Sequence, residues 1–375
     1  MADLLKSLRE TLLMGPGPSM VSPAVYRAIA QPTIGHLDPV FIGLMDAIQE
    51  DLRSLLNTKN TLTLPVSGTG SAGMETCFVN LLERGDRVLI LSNGVFGTRM
   101  VEVAGRLGAE VDCMEFEWGT PVDAEQVAAR LKEKKYDLIG VVHAETSTGV
   151  LNPVQEIGEL VRENGALYLV DSVTGLGGIP VELDAWEVDA FYSGTQKCLS
   201  CPPGLSPVSF SARATEKLQT RATRVPNWYL DLNLICGYWA GEPDGGNNKR
   251  AYHHTAPINM NYALYAALRE IVNEGTDAVF ERHLTAHRQL VDGLEDRGLA
   301  MLVSAPHRLP MLNAVKIPQG VDEAAVRASL LSEHAIEIGA GLGPLAGKIW
   351  RIGLMGHTAR AENVERLLTA LDSAI

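Results

Sequence analysis

Cysteine is scarce in this chain and odd in number: Cys77, Cys113, Cys198, Cys201 and Cys236 among 375 residues. Five scattered thiols cannot form a disulfide framework, and they fit a reducing compartment. Cys198 and Cys201 have C-x-x-C spacing, but no second pair exists and Pro202-Pro203 follows at once, so a zinc or redox centre lacks its other half. Long apolar runs are missing too. No stretch approaches the roughly 18 residues that suggest a membrane span. Basic residues are in deficit, 32 Lys and Arg against 45 Asp and Glu, for a net charge of −13. Such a surface repels phosphate backbones and anionic lipid, so neither nucleic acid nor membrane is an expected partner. Met1–Thr11 carries charges among its leucines and lacks the apolar core and cleavage site of a secretory signal, and Asp-Ser-Ala-Ile at the end is no peroxisomal address. The expected compartment is the cytoplasm. No internal repeat or low-complexity tract stands out.

What is present is a globular composition, 46% hydrophobic, with enough chain for a large domain and a smaller one. Thr61–Val66 reads as a strand, and the glycines that follow lead into Met74, Cys77, Phe78, Leu81 and Leu82, one apolar helix face at i, i+3, i+4, i+7 and i+8. Further strand-like runs at Arg87–Leu91, Leu138–Val142, Ala166–Val170 and Val188–Tyr192 alternate with helical stretches such as Val122–Lys132 and Val154–Asn164. This alternation predicts an α/β fold with a mostly parallel sheet covered on both faces. Later the texture changes to two long helical patterns, Asn259–Asn273 and Ala278–Arg297, then short strands near Ala314–Ile317, Ile336–Gly339 and Ile349–Leu354. The expected organisation is an N-terminal arm over 1–14, a large domain over 15–272 and a smaller C-terminal α+β domain over 273–375. The Gly15-Pro16-Gly17-Pro18 punctuation ends the arm.

In open sheets of this kind ligands bind outside the carboxyl ends of the strands. Ser67–Ser71, Asn93–Phe96, Thr146, Asp171 and Lys197 each follow a different predicted strand, so one crevice can receive all of them. A phosphate cradle at "SGTGSAGME" (67–75), a carboxylate at Asp171 and an amine at Lys197 are the groups needed to hold pyridoxal 5'-phosphate. Lys197 would form a Schiff base with its aldehyde, Asp171 would pair with its pyridine nitrogen, and helix N-terminal amides would receive its phosphate.

Each residue also has a plainer reading. Most lysines are solvated, but Lys197 sits between a small polar run and Pro202-Pro203-Gly204. Burial and nearby cations there would lower its pKa and free its amine. Asp171 could instead be the N-cap of a helix, a common role for Asp after a strand. Gly68, Gly70 and Gly73 also match the dinucleotide fingerprint G-x-G-x-x-G, which makes an NAD-dependent dehydrogenase a rival, although Val88–Ser92 offers no acid for a ribose. Arg351 lies in an apolar strand-like run, where it needs a partner: a substrate carboxylate or an internal acid. His283 and His287 share a helix at i, i+4 without the H-E-x-x-H glutamate and read as surface residues. His253 and His254 would point to opposite faces of a strand. Neither pair is assigned a metal.

Beyond these residues, the chain resembles the class V (fold-type I) aminotransferases, in particular the alanine–glyoxylate / serine–pyruvate group. The likeness runs through "LLMGPGPS" at 12–19, "SGTGSAGME", "SNGVFGTR" at 92–99, "HAETSTGVLNP" at 143–153, "VDSVTGLGGIP" at 170–180, "YSGTQKCLSCPPG" at 192–204, "AYHHTAP" at 251–257 and "WRIGLMG" at 350–356. It implies a ping-pong transaminase acting on a small amino acid and a small 2-oxo acid, with Lys197 as Schiff-base residue and general base and Asp171 as ring partner. Thr69, Gly70 and Gln196 would contact the phosphate, Phe96 would stack on the ring, Val173 would pack on its other face and Thr146 would bond its hydroxyl side. Tyr252 and Thr255 would reach the phosphate of a neighbouring subunit, implying a homodimer with shared active sites. Arg351 would clamp the substrate carboxylate, and the Gly15–Gly17 turn would narrow the pocket. Ser71 and Phe96 depart from the animal members, which carry His and Trp at those cofactor-side positions. A lyase or desulfurase of the same fold would use the same anchors but needs a leaving group or a mobile cysteine. A catalytically silent relative would keep only the fold.

Overall fold

The computed structural model describes residues 4–239 and 250–375, and the first three residues of the predicted arm lie outside them. The chain opens with β1 (Leu12–Leu13), α1 (Pro23–Ile29) and α2 (Pro39–Leu55). Asp38 starts α2 by accepting the Val40 N–H, with Pro39 in the first turn, where its missing N–H costs nothing. Then come β2 (Leu62–Ser67), α3 (Gly70–Leu81), β3 (Arg87–Ser92), α4 (Val95–Arg106), β4 (Glu110–Glu115), α5 (Ala124–Glu133) and β5 (Leu138–Val142). A short hairpin, β6 (Ala144–Glu145) and β7 (Val150–Leu151), precedes α6 (Val154–Asn164), β8 (Leu167–Asp171), β9 (Ala190–Tyr192) and β10 (Leu205–Phe210).

The central sheet has seven strands in the order β2-β10-β9-β8-β5-β3-β4, and β10 alone runs against its neighbours. The other six therefore point the same way, with their carboxyl ends on one side. Consecutive residues alternate between two cores, as period-two pleating requires. Val88 and Ile90 of β3, Leu138 of β5 and Leu169 of β8 face one, while Leu89, Leu91, Ile139 and Val170 face the other. Both faces are covered, so these strands read as continuous apolar runs.

After β10 the chain forms α7 (Ala212–Gln219), α8 (Leu232–Trp239), α9 (Ile258–Glu274) and α10 (Thr276–Glu295). Next are β11 (Leu312–Lys316), α11 (Glu323–His334), β12 (Ile336–Glu337), β13 (Gly339–Ala340), β14 (Ile349–Gly353) and α12 (Ala361–Ala374). A second, antiparallel sheet of order β11-β14-β13 packs against α10, α11 and α12 through a separate core. The strand expected over 336–339 is two short pieces. The first, β12, pairs with β1, so Leu12 and Met14 are built into this C-terminal core. Among the described residues, no helix is long and apolar enough to cross a membrane.

Candidate active site

Asp171 ends β8 in the middle of the sheet and is 3% exposed. Its Oδ1 accepts the Val173 N–H at 2.8 Å and its Oδ2 accepts the Tyr192 hydroxyl at 2.6 Å. A turn follows, not an α-helix, so the helix-cap alternative gives way to a turn held by the carboxylate. Burial pushes the Asp171 carboxyl up to about 7, against the downward pull of the Tyr192 and Val173 bonds. Among the described residues no Lys or Arg forms an ion pair with it. A buried carboxylate so held is suited to a cationic ligand group.

Lys197 lies in the loop between β9 and β10 and is 9% exposed, which removes the solvated-lysine reading. Its Nζ donates to the Pro16 carbonyl. Burial lowers its amine from 10.5 to about 8, with the Arg351 charge as the second cause, while Cys198 and Asp171 pull the other way. The N-terminal turn is fastened to this loop: Ser19 donates its N–H to Gln196 O at 2.9 Å and its hydroxyl to Lys197 O at 2.6 Å. Gly17, at φ +106°, comes so close that an added Cβ would stand 2.6 Å from Lys197 Nζ.

Thr69 is the N-cap of α3 but makes no side-chain cap bond, so first-turn amides are left for another acceptor. Thr69 and Ser71 are exposed at this end, whereas Gly70 is buried beside Val173, whose Cγ2 would lie 3.1 Å from a Cβ there. Gln196 adds a buried Oε1 without a hydrogen-bond partner. Val173 and Phe96 are partly buried apolar groups packed on the same core. Arg99 sits over the Phe96 ring at 5.0 Å.

Arg351 projects from β14 and is 7% exposed. Its Nε donates to Ala340 O at 2.7 Å and one Nη to Thr146 O at 3.3 Å. Among the described residues no carboxylate pairs with it, so the internal ion pair left open by the sequence does not form. Burial brings its guanidinium down to about 10, offset by the charge of Glu145. Two residues of this site escaped the sequence reading: Tyr192, which holds Asp171, and Glu145, fully buried beside Thr146. Their signal was a polar residue at the end of an apolar run.

Tyr252 and Thr255 stand apart from these contacts, exposed, with the Tyr252 hydroxyl 3.4 Å from Thr255 Oγ1 and its ring 5.0 Å from that of His36. Two histidine expectations are corrected. His253 and His254 lie in irregular chain, not a strand, and their Nδ1 atoms are 2.8 Å apart. His283 and His287 are buried, not on the surface. His283 Nε2 accepts the Gly356 N–H and His287 Nδ1 meets Asn313, so they serve packing between α10 and the second sheet. Cys77, Cys198 and Cys201 are buried, and burial raises their thiols. Cys113 is exposed on β4, the strand at the sheet's edge.

A buried carboxylate without a cationic partner among the described residues, first-turn amides without a side-chain cap, a buried amine of lowered pKa and the apolar Phe96 and Val173 fit pyridoxal phosphate. They fit a dinucleotide less well, because β2 sits at the sheet edge against antiparallel β10 rather than inside a parallel βαβ unit. The fold and donor set thus define a pyridoxal phosphate enzyme. Residues 23–367 match the family model for class V aminotransferases, and the chain belongs to that family. It is an aminotransferase, and pyridoxal phosphate is its cofactor, which removes the dehydrogenase alternative. The crystal structure of alanine–glyoxylate aminotransferase from Nostoc sp. is similar at 50% identity and a TM-score of 0.94, covering 98% of this chain and 96% of that one. The (S)-ureidoglycine–glyoxylate transaminase of Bacillus subtilis is 38% identical over 97% of this chain and 90% of its own length. The alanine–glyoxylate aminotransferase of Oryctolagus cuniculus is 39% identical over 97% and 92%.

Proposed function

We propose that this aminotransferase moves the amino group of a small amino acid, alanine or serine, to a small 2-oxo acid, glyoxylate or pyruvate, in a ping-pong cycle. The observation that carries the reading is the buried Lys197 amine, with Gly17 pressed against it and the acid-free Arg351 guanidinium close enough to lower its pKa. The relatives named for glyoxylate support the acceptor.

Bound here, pyridoxal phosphate supplies an aldehyde for the amino group and a ring that takes up the electron pair left at the substrate Cα. Lys197 holds the cofactor and, as a free amine, takes the Cα proton at Nζ; a pKa near 8 suits a base working close to neutrality. Asp171 keeps the proton on the ring nitrogen. Thr69, Gly70 and Gln196 take the phosphate, with Ser71 beside them; Phe96 and Val173 hold the ring faces, and Thr146 its hydroxyl side. Arg351 binds the substrate carboxylate as a planar fork, and Gly17 limits the side chain that fits. We further assign a homodimer, in which Tyr252 and Thr255 serve the partner's phosphate, a cytoplasmic location, and a division into a large cofactor-binding part over 15–272 and a smaller one over 273–375.

The test is a screen of amino acids against the holoenzyme, reading loss of the visible band of the bound cofactor and formation of its amino form. Alanine or serine with glyoxylate should give parallel double-reciprocal plots. Borohydride should tag Lys197, and Lys197→Ala should keep cofactor but lose turnover. Conversion of only large or acidic amino acids would refute the substrate class, and near-normal turnover by Lys197→Ala would refute the role of the amine.

A further inference from the structure

Glu145 has no part in the roles above, yet it is 0% exposed and its carboxylate joins the β6–β7 hairpin to the start of α4. Its Oε1 accepts both the Ser147 N–H at 3.0 Å and the Ser147 hydroxyl at 2.6 Å. Its Oε2 accepts the Phe96 N–H at 3.2 Å, and the Gly97 N–H is directed at the same carboxylate. The Ser147 hydroxyl in turn accepts the Val95 N–H at 3.0 Å. Helix α4 begins at Val95 after Gly94, which has no side chain to cap it. Glu145 and Ser147, about fifty residues further along the chain, therefore supply the cap that the local sequence lacks.

The close approach is built in. A Cβ at Gly94 would fall 2.4 Å from Glu145 Cδ and 2.5 Å from Ser147 Oγ. Burial raises the Glu145 pKa, and the bonds from Ser147, Phe96 and Gly97 oppose it; every bond its side chain makes is an accepted one, which suits the charged form. Its charge has two compensations, the positive end of α4 and the Arg351 guanidinium, whose Nη donates to the intervening Thr146 carbonyl. One residue thus ties the segment bearing Phe96 to the segment held by Arg351.

We propose that Glu145 is a positioning residue that sets the Phe96 ring against the cofactor by capping α4 from the β6–β7 hairpin. The proposal rests on the reading of Phe96 as a ring contact. Glu145→Gln has one acceptor oxygen in place of two, so either orientation of the amide sets an N–H against the α4 amides or against the Ser147 N–H. Cofactor binding by the holoenzyme should weaken about tenfold, the scale of a lost charge-assisted hydrogen bond.

A double-mutant cycle separates positioning from general damage. Glu145→Gln, Phe96→Ala and the double variant are compared by cofactor dissociation constant and by the visible circular dichroism of the bound cofactor. If Glu145 acts through Phe96, the double variant binds no more weakly than the worse single variant. Ser147→Ala, which removes only the hydroxyl link, gives a smaller loss in the same direction and replaces Glu145→Gln in the cycle should that variant not fold. Multiplicative losses, or wild-type affinity in both Glu145→Gln and Ser147→Ala, overturn the proposal. When Phe96→Ala alone weakens binding, only the link to Glu145 fails; when Phe96→Ala also binds normally, the ring contact itself fails with it.

Discussion

Replacing Lys197 by Met should stabilise the cofactor-free protein while abolishing its chemistry. The side chain keeps a similar length but loses the amine. In the folded protein burial and the Arg351 charge lower the amine from 10.5 to about 8. A base whose folded pKa is depressed is penalised once the unfolded chain holds its proton more tightly. The penalty is therefore complete below about 8, shrinks between there and 10.5, and is gone above. The pKa difference corresponds to about 3 kcal/mol at neutral pH. Loss of the Nζ bond to the Pro16 carbonyl takes back roughly 1 kcal/mol, leaving a gain of about 2 kcal/mol. For a chain of this length that is a rise of a few degrees, roughly 2–4 °C, in the unfolding midpoint of the apo form. Thermal unfolding of both apo proteins, followed by circular dichroism at pH 7 and again near pH 10, measures it. The gain should fall away at the higher pH, where folded Lys197 is neutral and the remaining penalty, about 1 kcal/mol, only matches the lost Nζ bond. A variant no more stable than wild type at pH 7, or one equally favoured at both pH values, would refute the reasoning.

Arg351→Lys keeps the charge but loses the planar fork, so KM for the acid substrates should rise about tenfold to a hundredfold while kcat changes less. An unchanged KM would remove Arg351 from carboxylate binding. Gly73→Ala would set a Cβ 2.0 Å from Ser206 Oγ and 3.0 Å from Tyr192 Cβ, forcing α3 away from β9 and β10. Denaturant titration should show a loss of about 1–3 kcal/mol, with weaker cofactor binding because the α3 amides move too. A variant as stable as wild type would mean that Ser206 has room to yield.

The central sheet was legible because buried parallel strands leave unmistakable apolar runs. Leu138–Val142 and Val154–Asn164 were read with their observed ends. Strand β4 was missed for the opposite reason: it lies at the sheet's edge, and Glu110, Asp112 and Glu115 break its apolar pattern. Helix α2 was also unread, although Asp38-Pro39 is a good start signal. The site was visible through strand ends, since Asp171 and Lys197 each follow an apolar run in register with the others. What stayed hidden were groups defined by distant contacts. The Pro16 carbonyl meets Lys197 across 181 positions, and Glu145 serves a helix that starts fifty residues earlier. No local pattern reports such a pair.

The site holds two buried acids, Asp171 and Glu145, and two buried bases, Lys197 and Arg351, and none of them pairs directly with another. Separation keeps their chemistry available. Had Lys197 met Asp171 in an ion pair, the amine would be held protonated and the acid's charge would already be engaged by it. Instead each is steadied by neutral groups: Pro16 and Ser19 around Lys197, Tyr192 and Val173 around Asp171, Ala340 and Thr146 around Arg351. The Arg351 charge is one cause of the lowered Lys197 pKa. An anion bound at Arg351 would offset that charge, so a substrate carboxylate held there, as proposed, would make a free Lys197 amine more basic. On the roles proposed for Arg351 and Lys197, binding at the carboxylate end would strengthen the base acting at the neighbouring carbon, a coupling that requires the two groups to be close but unpaired.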